Sequence, residues 1–122
     1  MEAVRVEGGP EPVGPYSQAV ISNGLVFLSG QIPLKDGKLL KGDFKDQVRT
    51  VLENVKRILE SAGSSMERVV KVTVYIKDMN LFGDLNEVYS EYFKKPYPAR
   101  VVVEVRDLPK GADLEMDIIA ER

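Results

Sequence analysis

The chain has 122 residues, 43% of them hydrophobic and 30% charged, which suits a single soluble domain with its own core. Histidine and cysteine are both absent, which excludes disulfides, thiolate catalysis, Ser-His and Cys-His machinery and histidine-ligated zinc or iron. The net charge of −2 gives no electrostatic reason to expect nucleic acid or an anionic membrane as partner, and no apolar run reaches the roughly 18 residues of a membrane span.

Residues 1–15 carry Gly8-Gly9-Pro10, Pro12 and Gly14-Pro15, the chemistry of a loop, with a short edge strand expected at Ala3–Val6. Met1 to Pro12 holds glutamates and no apolar centre, so no secretory signal is read there, and a cytoplasmic location is expected. Ala19–Ser22 and Leu25–Leu28 flank Asn23-Gly24, a strong hairpin signal. Leu25–Leu28 is apolar throughout, so both of its faces should be covered. Ser29-Gly30 ends that strand, and Pro33 and Gly37 predict loop beyond it.

Asp43 is a good N-cap and Gly63 a good C′ residue for a long helix. Phe44, Val48, Val51, Leu52, Val55, Ile58, Leu59 and Ala62 recur at helical spacing and predict one apolar stripe. Lys45, Arg49, Glu53, Lys56, Arg57 and Glu60 read as a solvated face. Val69–Ile76 is a strand with Val70, Val72, Val74 and Ile76 on one side. A second helix is expected from about Asn80 to Phe93, its stripe formed by Phe82, Leu85, Tyr89, Tyr92 and Phe93. Pro96-Tyr97-Pro98 stops it.

Two apolar strands close the chain. Arg100 opens the first, Val101–Val105, and Glu115 sits inside the second, Leu114–Met116. The link Asp107–Ala112 is short enough for the two to pair antiparallel. A buried arginine needs an anion, and a buried glutamate needs a donor or a task. The element order predicts an α+β domain spanning residues 1–122, a mixed sheet with two helices on one face. Two helices leave the other face bare although its strands look apolar on both sides, so a second copy of the chain is expected there.

Gly14-Pro15-Tyr16-Ser17-Gln18-Ala19, Ser29-Gly30-Gln31-Ile32-Pro33, Asn86-Glu87-Val88-Tyr89 and Pro98-Ala99-Arg100 through Leu114-Glu115-Met116 occur in that order. Together they resemble the Rid proteins, the reactive-intermediate (enamine/imine) deaminases once called the YjgF family. The match runs from about residue 14 to residue 120. The resemblance implies a chorismate-mutase-like fold, a homotrimer and sites in clefts between subunits. It implies hydrolysis of 2-imino or enamine acids, such as 2-iminobutanoate and 2-iminopropanoate, to 2-oxo acids and ammonia, with no cofactor and no metal.

By the same resemblance Arg100 anchors the substrate carboxylate, Glu115 handles water, and Tyr16 walls the cleft. Ser29, Gly30 and Asn86 contact the substrate, and Val102 contributes through its backbone. Many members have a cysteine at the Val102 position, so a thiol role is not carried over. Plain readings stand beside these: a structural ion pair for Arg100, a solvent-facing strand residue for Glu115, a core-capping ring for Tyr16, a tight bend at Gly30 and a locally bonded boundary residue at Asn86. Asp117 shares the parity of Glu115 and is read as surface. Ser29 has no base partner and is not read as a nucleophile. A non-catalytic regulator binding small carboxylates is the main alternative, and an RNA-directed translation inhibitor or ribonuclease the weaker one.

Overall fold

The computed structural model describes residues 1–6 and 12–122; the Gly8-Gly9-Pro10 loop reading lies outside them. Glu2–Ala3 (β1), Ala19–Ser22 (β2), Leu25–Gln31 (β3), Val69–Ile76 (β6), Ala99–Glu104 (β7) and Leu114–Glu121 (β8) form one sheet. Leu34–Lys35 (β4) and Lys38–Leu39 (β5) make a separate small hairpin. The helices are Phe44–Ser61 (α1) and Phe82–Tyr92 (α2). Among the described residues the large sheet runs β1-β2-β3-β8-β6-β7. Its pairs are antiparallel except β6 and β7, which are parallel and joined through α2.

That order corrects the expected pairing of the last two strands. β7 takes the outer edge of β6 as the second strand of a parallel crossover, so the chain must pass to the other side of β6. β8 fills the gap between β6 and β3, with Ile76 opposite Leu114 and Val26 opposite Ala120. The strand carrying Glu115 is therefore central, and the strand carrying Arg100 is an edge.

α1 follows its stripe. Asp43 caps it by accepting the backbone N–H of Lys45 at 2.8 Å, and Gly63 turns the chain away at φ +79°. Val48, Val51, Leu52, Val55 and Leu59 are wholly buried against Val26, Leu28, Val72, Val74, Met116 and Ile118. Each such side chain contributes about 1.5–3 kcal/mol of burial, so the helix side is settled within one chain. Gln47 is buried with them; its amide donates to Gly42 O and Asp113 Oδ2 and ties the start of α1 to the loop before β8.

Three further expectations shift. The segment read as loop holds β4 and β5, because Asp36 and Gly37 both take positive φ and close a two-residue hairpin. Val70 is exposed rather than core, since the β6–β8 register shifts between Val69 and Lys71. In α2 the buried residues are Leu85, Val88 and Tyr89, while Phe82 at the first turn stays 37% exposed. The solvated face of α1 is in part shared with α2, where Lys45 pairs with Glu87 and Arg49 with Glu91.

The second face of the sheet is bare in one chain. Phe27, Val101 and Val103 point there, 36%, 42% and 37% exposed, beside Thr73, Tyr75, Glu115, Asp117 and Ile119. The expected cover of both sides of Leu25–Leu28 therefore holds for Val26 and Leu28 and not for Phe27.

Candidate functional site

Glu115 stands on the bare face of β8, pointing away from buried Leu114 and Met116. Beside it β3 changes register between Leu28 and Gln31, which loosens the strand at Ser29 and Gly30. Gly30 is needed there for close approach. A Cβ at that position would sit 2.6 Å from the Glu115 carboxyl carbon and 2.7 Å from its Oε2. No described residue donates a hydrogen bond to the Glu115 carboxylate. Burial raises its pKa, and the neighbouring Asp117 charge adds to the rise. Asp117 is not a free surface residue, because Tyr75 donates its hydroxyl to Asp117 Oδ2 at 2.9 Å. That bond, followed by burial, raises the Tyr75 pKa in turn.

The loop before β2 is tied to the same spot. Ser29 Oγ donates to Ser17 O at 2.6 Å, and Gln31 Nε2 donates to Gln18 Oε1 at 3.1 Å. These bonds bring Tyr16, 48% exposed, to the rim. Tyr16, Ser29, Gly30 and Glu115 line one cavity of about 980 Å³, which α1 and the β4–β5 hairpin extend with Asn54 and Lys35. The Ser29 hydroxyl spends its one donor on the Ser17 carbonyl.

Arg100 lies elsewhere. It is opposite Val72 in the parallel register, so it points to the helix side at the sheet edge. Its Nη1 donates to Asn86 Oδ1 at 2.7 Å. Its Cζ stands 4.8 Å from the ring centre of Tyr89 and 5.5 Å from that of Phe82. The ion pairs among the described residues do not include Arg100, so the structural ion pair is not what occupies it. Tyr89 stacks on Phe93 at 4.4 Å, and burial raises the pKa of its phenol against an opposing pull from Arg100. Val102 has the parity of Arg100 and packs its side chain on the core.

The candidate residues thus form two groups. Tyr16, Ser29, Gly30 and Glu115 share a cavity, and Arg100 and Asn86 share a hydrogen bond. The two charges are on opposite faces of the sheet with β6 between their strands. Tyr89 is core as its place in the stripe predicts and also flanks Arg100, whereas Phe82 flanks Arg100 from outside the core. The signal was present in the spacing of Phe82, Asn86 and Tyr89, which puts all three on one side of α2. Among the described residues no group of three or more acidic side chains is arranged to hold a metal ion.

Comparison with known proteins gives one answer along the whole chain. The profile of the family described as Endoribonuclease L-PSP matches residues 7–122. A RutC family protein of Pyrococcus horikoshii is 54% identical over 121 residues, covering 98% of this chain and 96% of that protein. The crystal structure of RidA from an Antarctic Psychrobacter bacterium is 40% identical, with a TM-score of 0.94 over 100% of both chains. Escherichia coli TdcF, solved with bound serine, is 41% identical, with a TM-score of 0.92 over 100% of this chain and 99% of that one. With the four sequence motifs, the strand order and these relatives in agreement, the chain belongs to the Rid (YjgF) family.

Proposed function

We propose that the protein hydrolyses small 2-imino acids and their enamine tautomers, such as 2-iminobutanoate and 2-iminopropanoate, to 2-oxo acids and ammonia. The observation that carries this reading is the pairing state of its two charges. Arg100 has no carboxylate partner and Glu115 no donor among the described residues. An oriented cation and a desolvated carboxylate of raised pKa suit an anionic substrate attacked by water. Serine bound to the Escherichia coli relative supports recognition of a small carboxylate.

In this reading Arg100 forks the substrate carboxylate and fixes the plane of the adjacent C=N bond. The imine nitrogen is protonated, and Glu115 accepts a proton from water as its oxygen bonds to C2. The proton passes to the amino group of the resulting carbinolamine. The C–N bond breaks, the hydroxyl proton passes to the carboxylate of Glu115 and on to solvent as the carbonyl forms, and ammonia leaves. Tyr16 and Ser29 wall the site, and Gly30 lets Glu115 approach. Imines hydrolyse unaided in water, so positioning and one modest base suffice without histidine, cysteine or metal.

The site is completed between copies. One chain holds Arg100 and Glu115 on opposite faces, and its bare face exposes Phe27, Val101 and Val103. A homotrimer covers that face and brings the Arg100 of one chain to the Glu115 of the next.

The test is imine hydrolysis coupled to an amino-acid oxidase, read as accelerated release of 2-oxo acid. Glu115→Gln should lose about 10²–10⁴-fold in turnover yet still bind 2-oxobutanoate, and Arg100→Ala should lose both. Binding without any acceleration in the unsubstituted protein would instead support the carboxylate-binding regulator. The endoribonuclease description of the family profile favours a second reading, RNA cleavage. Salt-sensitive RNA binding with cleavage by the purified protein would support it.

A further inference from the structure

Arg100 is held by an unusual set of neighbours. An arginine this well placed in a protein is commonly met by a carboxylate, because a desolvated cation is costly without one. Here the neighbours are an amide oxygen and two rings. Asn86 accepts from Nη1 at 2.7 Å, Tyr89 lies 4.8 Å beneath Cζ, and Phe82 lies 5.5 Å from it. All three come from one side of α2, four and three residues apart. Phe82 stays 37% exposed at the first turn of the helix, where core packing gives no reason for a large ring. Two of the three acids of the same helix are spent elsewhere, Glu87 on Lys45 and Glu91 on Arg49, and the ion pairs among the described residues do not join the third, Asp84, to Arg100.

We propose that Phe82, Asn86 and Tyr89 form a charge-neutral cradle that orients the Arg100 guanidinium without cancelling its charge. The anion that completes the site is then supplied by the ligand. Asn86 acts through Arg100 and is a positioning residue, not a substrate contact. The rings stabilise the cation by their π faces and shed water from it, so its whole unit charge remains for an incoming carboxylate. The amide fixes one amino group by a single hydrogen bond and leaves the other N–H donors for the fork. An aspartate at position 86 would hold the same geometry and neutralise the site.

This inference rests on the anchoring role given to Arg100, and its test separates the two. NMR of the ligand-free, assembled protein should show slowly rotating Arg100 Nη groups and Arg100 Hδ signals shifted by ring current. Asn86→Ala should free the Nη rotation with no ligand present, which loss of a mere substrate contact would not do. Phe82→Leu should weaken 2-oxobutanoate binding by about 3- to 30-fold, the range of a cation–π contact, with Phe82→Tyr restoring most of it. Asn86→Asp should weaken binding by at least about tenfold, more than Asn86→Ala does, although it keeps the hydrogen bond. The deaminase reading fails alone if imines are not hydrolysed while acetate and 2-oxobutanoate still move the Arg100 signals. The cradle is overturned if the ligand-free Arg100 signals are averaged and unshifted, if no carboxylate perturbs them, or if Asn86→Asp binds 2-oxobutanoate as tightly as the unsubstituted protein.

Discussion

Glu115 and Gly30 show how much a single contact decides. A methyl group at residue 30 would stand 2.6 Å from the Glu115 carboxyl carbon, closer than any real Cβ contact. The obstruction is the end of a flexible side chain, so Gly30→Ala should fold and displace the carboxylate. Turnover should fall by about 10–100-fold while 2-oxobutanoate affinity changes little, measured by coupled hydrolysis and calorimetry. Glu115 also carries a pH signature. Its folded pKa is raised by burial and by Asp117, so the folded state favours the protonated acid. Its ionisation therefore costs no stability below the ordinary glutamate pKa, and the full cost appears once pH rises above the raised folded value. Glu115→Gln should thus melt higher than the unsubstituted protein at neutral pH and equal to it in acid, by thermal scans at fixed protein concentration. Turnover of the unsubstituted protein should rise with pH through the raised pKa of Glu115, because the base must be ionised. The residues of this half of the site were legible as motif members, and the reason for Gly30 was not. A bend and a close approach need the same glycine, and only the partner across the strand distinguishes them.

The elements were largely legible because their signals are local. Asn23-Gly24, the stripe of α1 and the run Val69–Ile76 each fix a structure within their own span. Asp43 is the clearest case: it caps α1 as its position before the stripe predicts. Asp43→Ala should cost about 1 kcal/mol in chemical denaturation, with the hydrolysis rate retained. What was not legible depends on partners distant in sequence. The position of β8 follows from β7 taking one edge of β6, and strand spacing alone cannot report that choice. Phe82 fits the period of the α2 core stripe, yet its ring covers Arg100, because the charge it meets is 18 residues ahead on another strand. The Asp36-Gly37 dipeptide signals the β4–β5 hairpin, while Pro33 just before it and Gly37 itself signal loop equally well, so composition alone does not separate the two.

At the scale of the molecule, one chain buries one face of its sheet and leaves Phe27, Val101 and Val103 bare on the other. Covering that face with copies of itself should give a particle of about three chains in sedimentation, persistent on dilution. Val103→Asp puts a charge into the apolar patch and should shift the protein toward monomer with loss of hydrolysis. In the proposed assembly Arg100 of one chain works with Glu115 of another. The direct measurement mixes Arg100→Ala and Glu115→Gln proteins in equal amounts, allows the subunits to exchange, and assays imine hydrolysis. Each protein alone should be nearly inactive, and about a quarter of the sites in random trimers should combine an intact Arg100 with an intact Glu115. Recovery of about a quarter of the unsubstituted rate is the predicted result. A mixture that exchanges subunits and stays as inactive as its components would contradict the shared site.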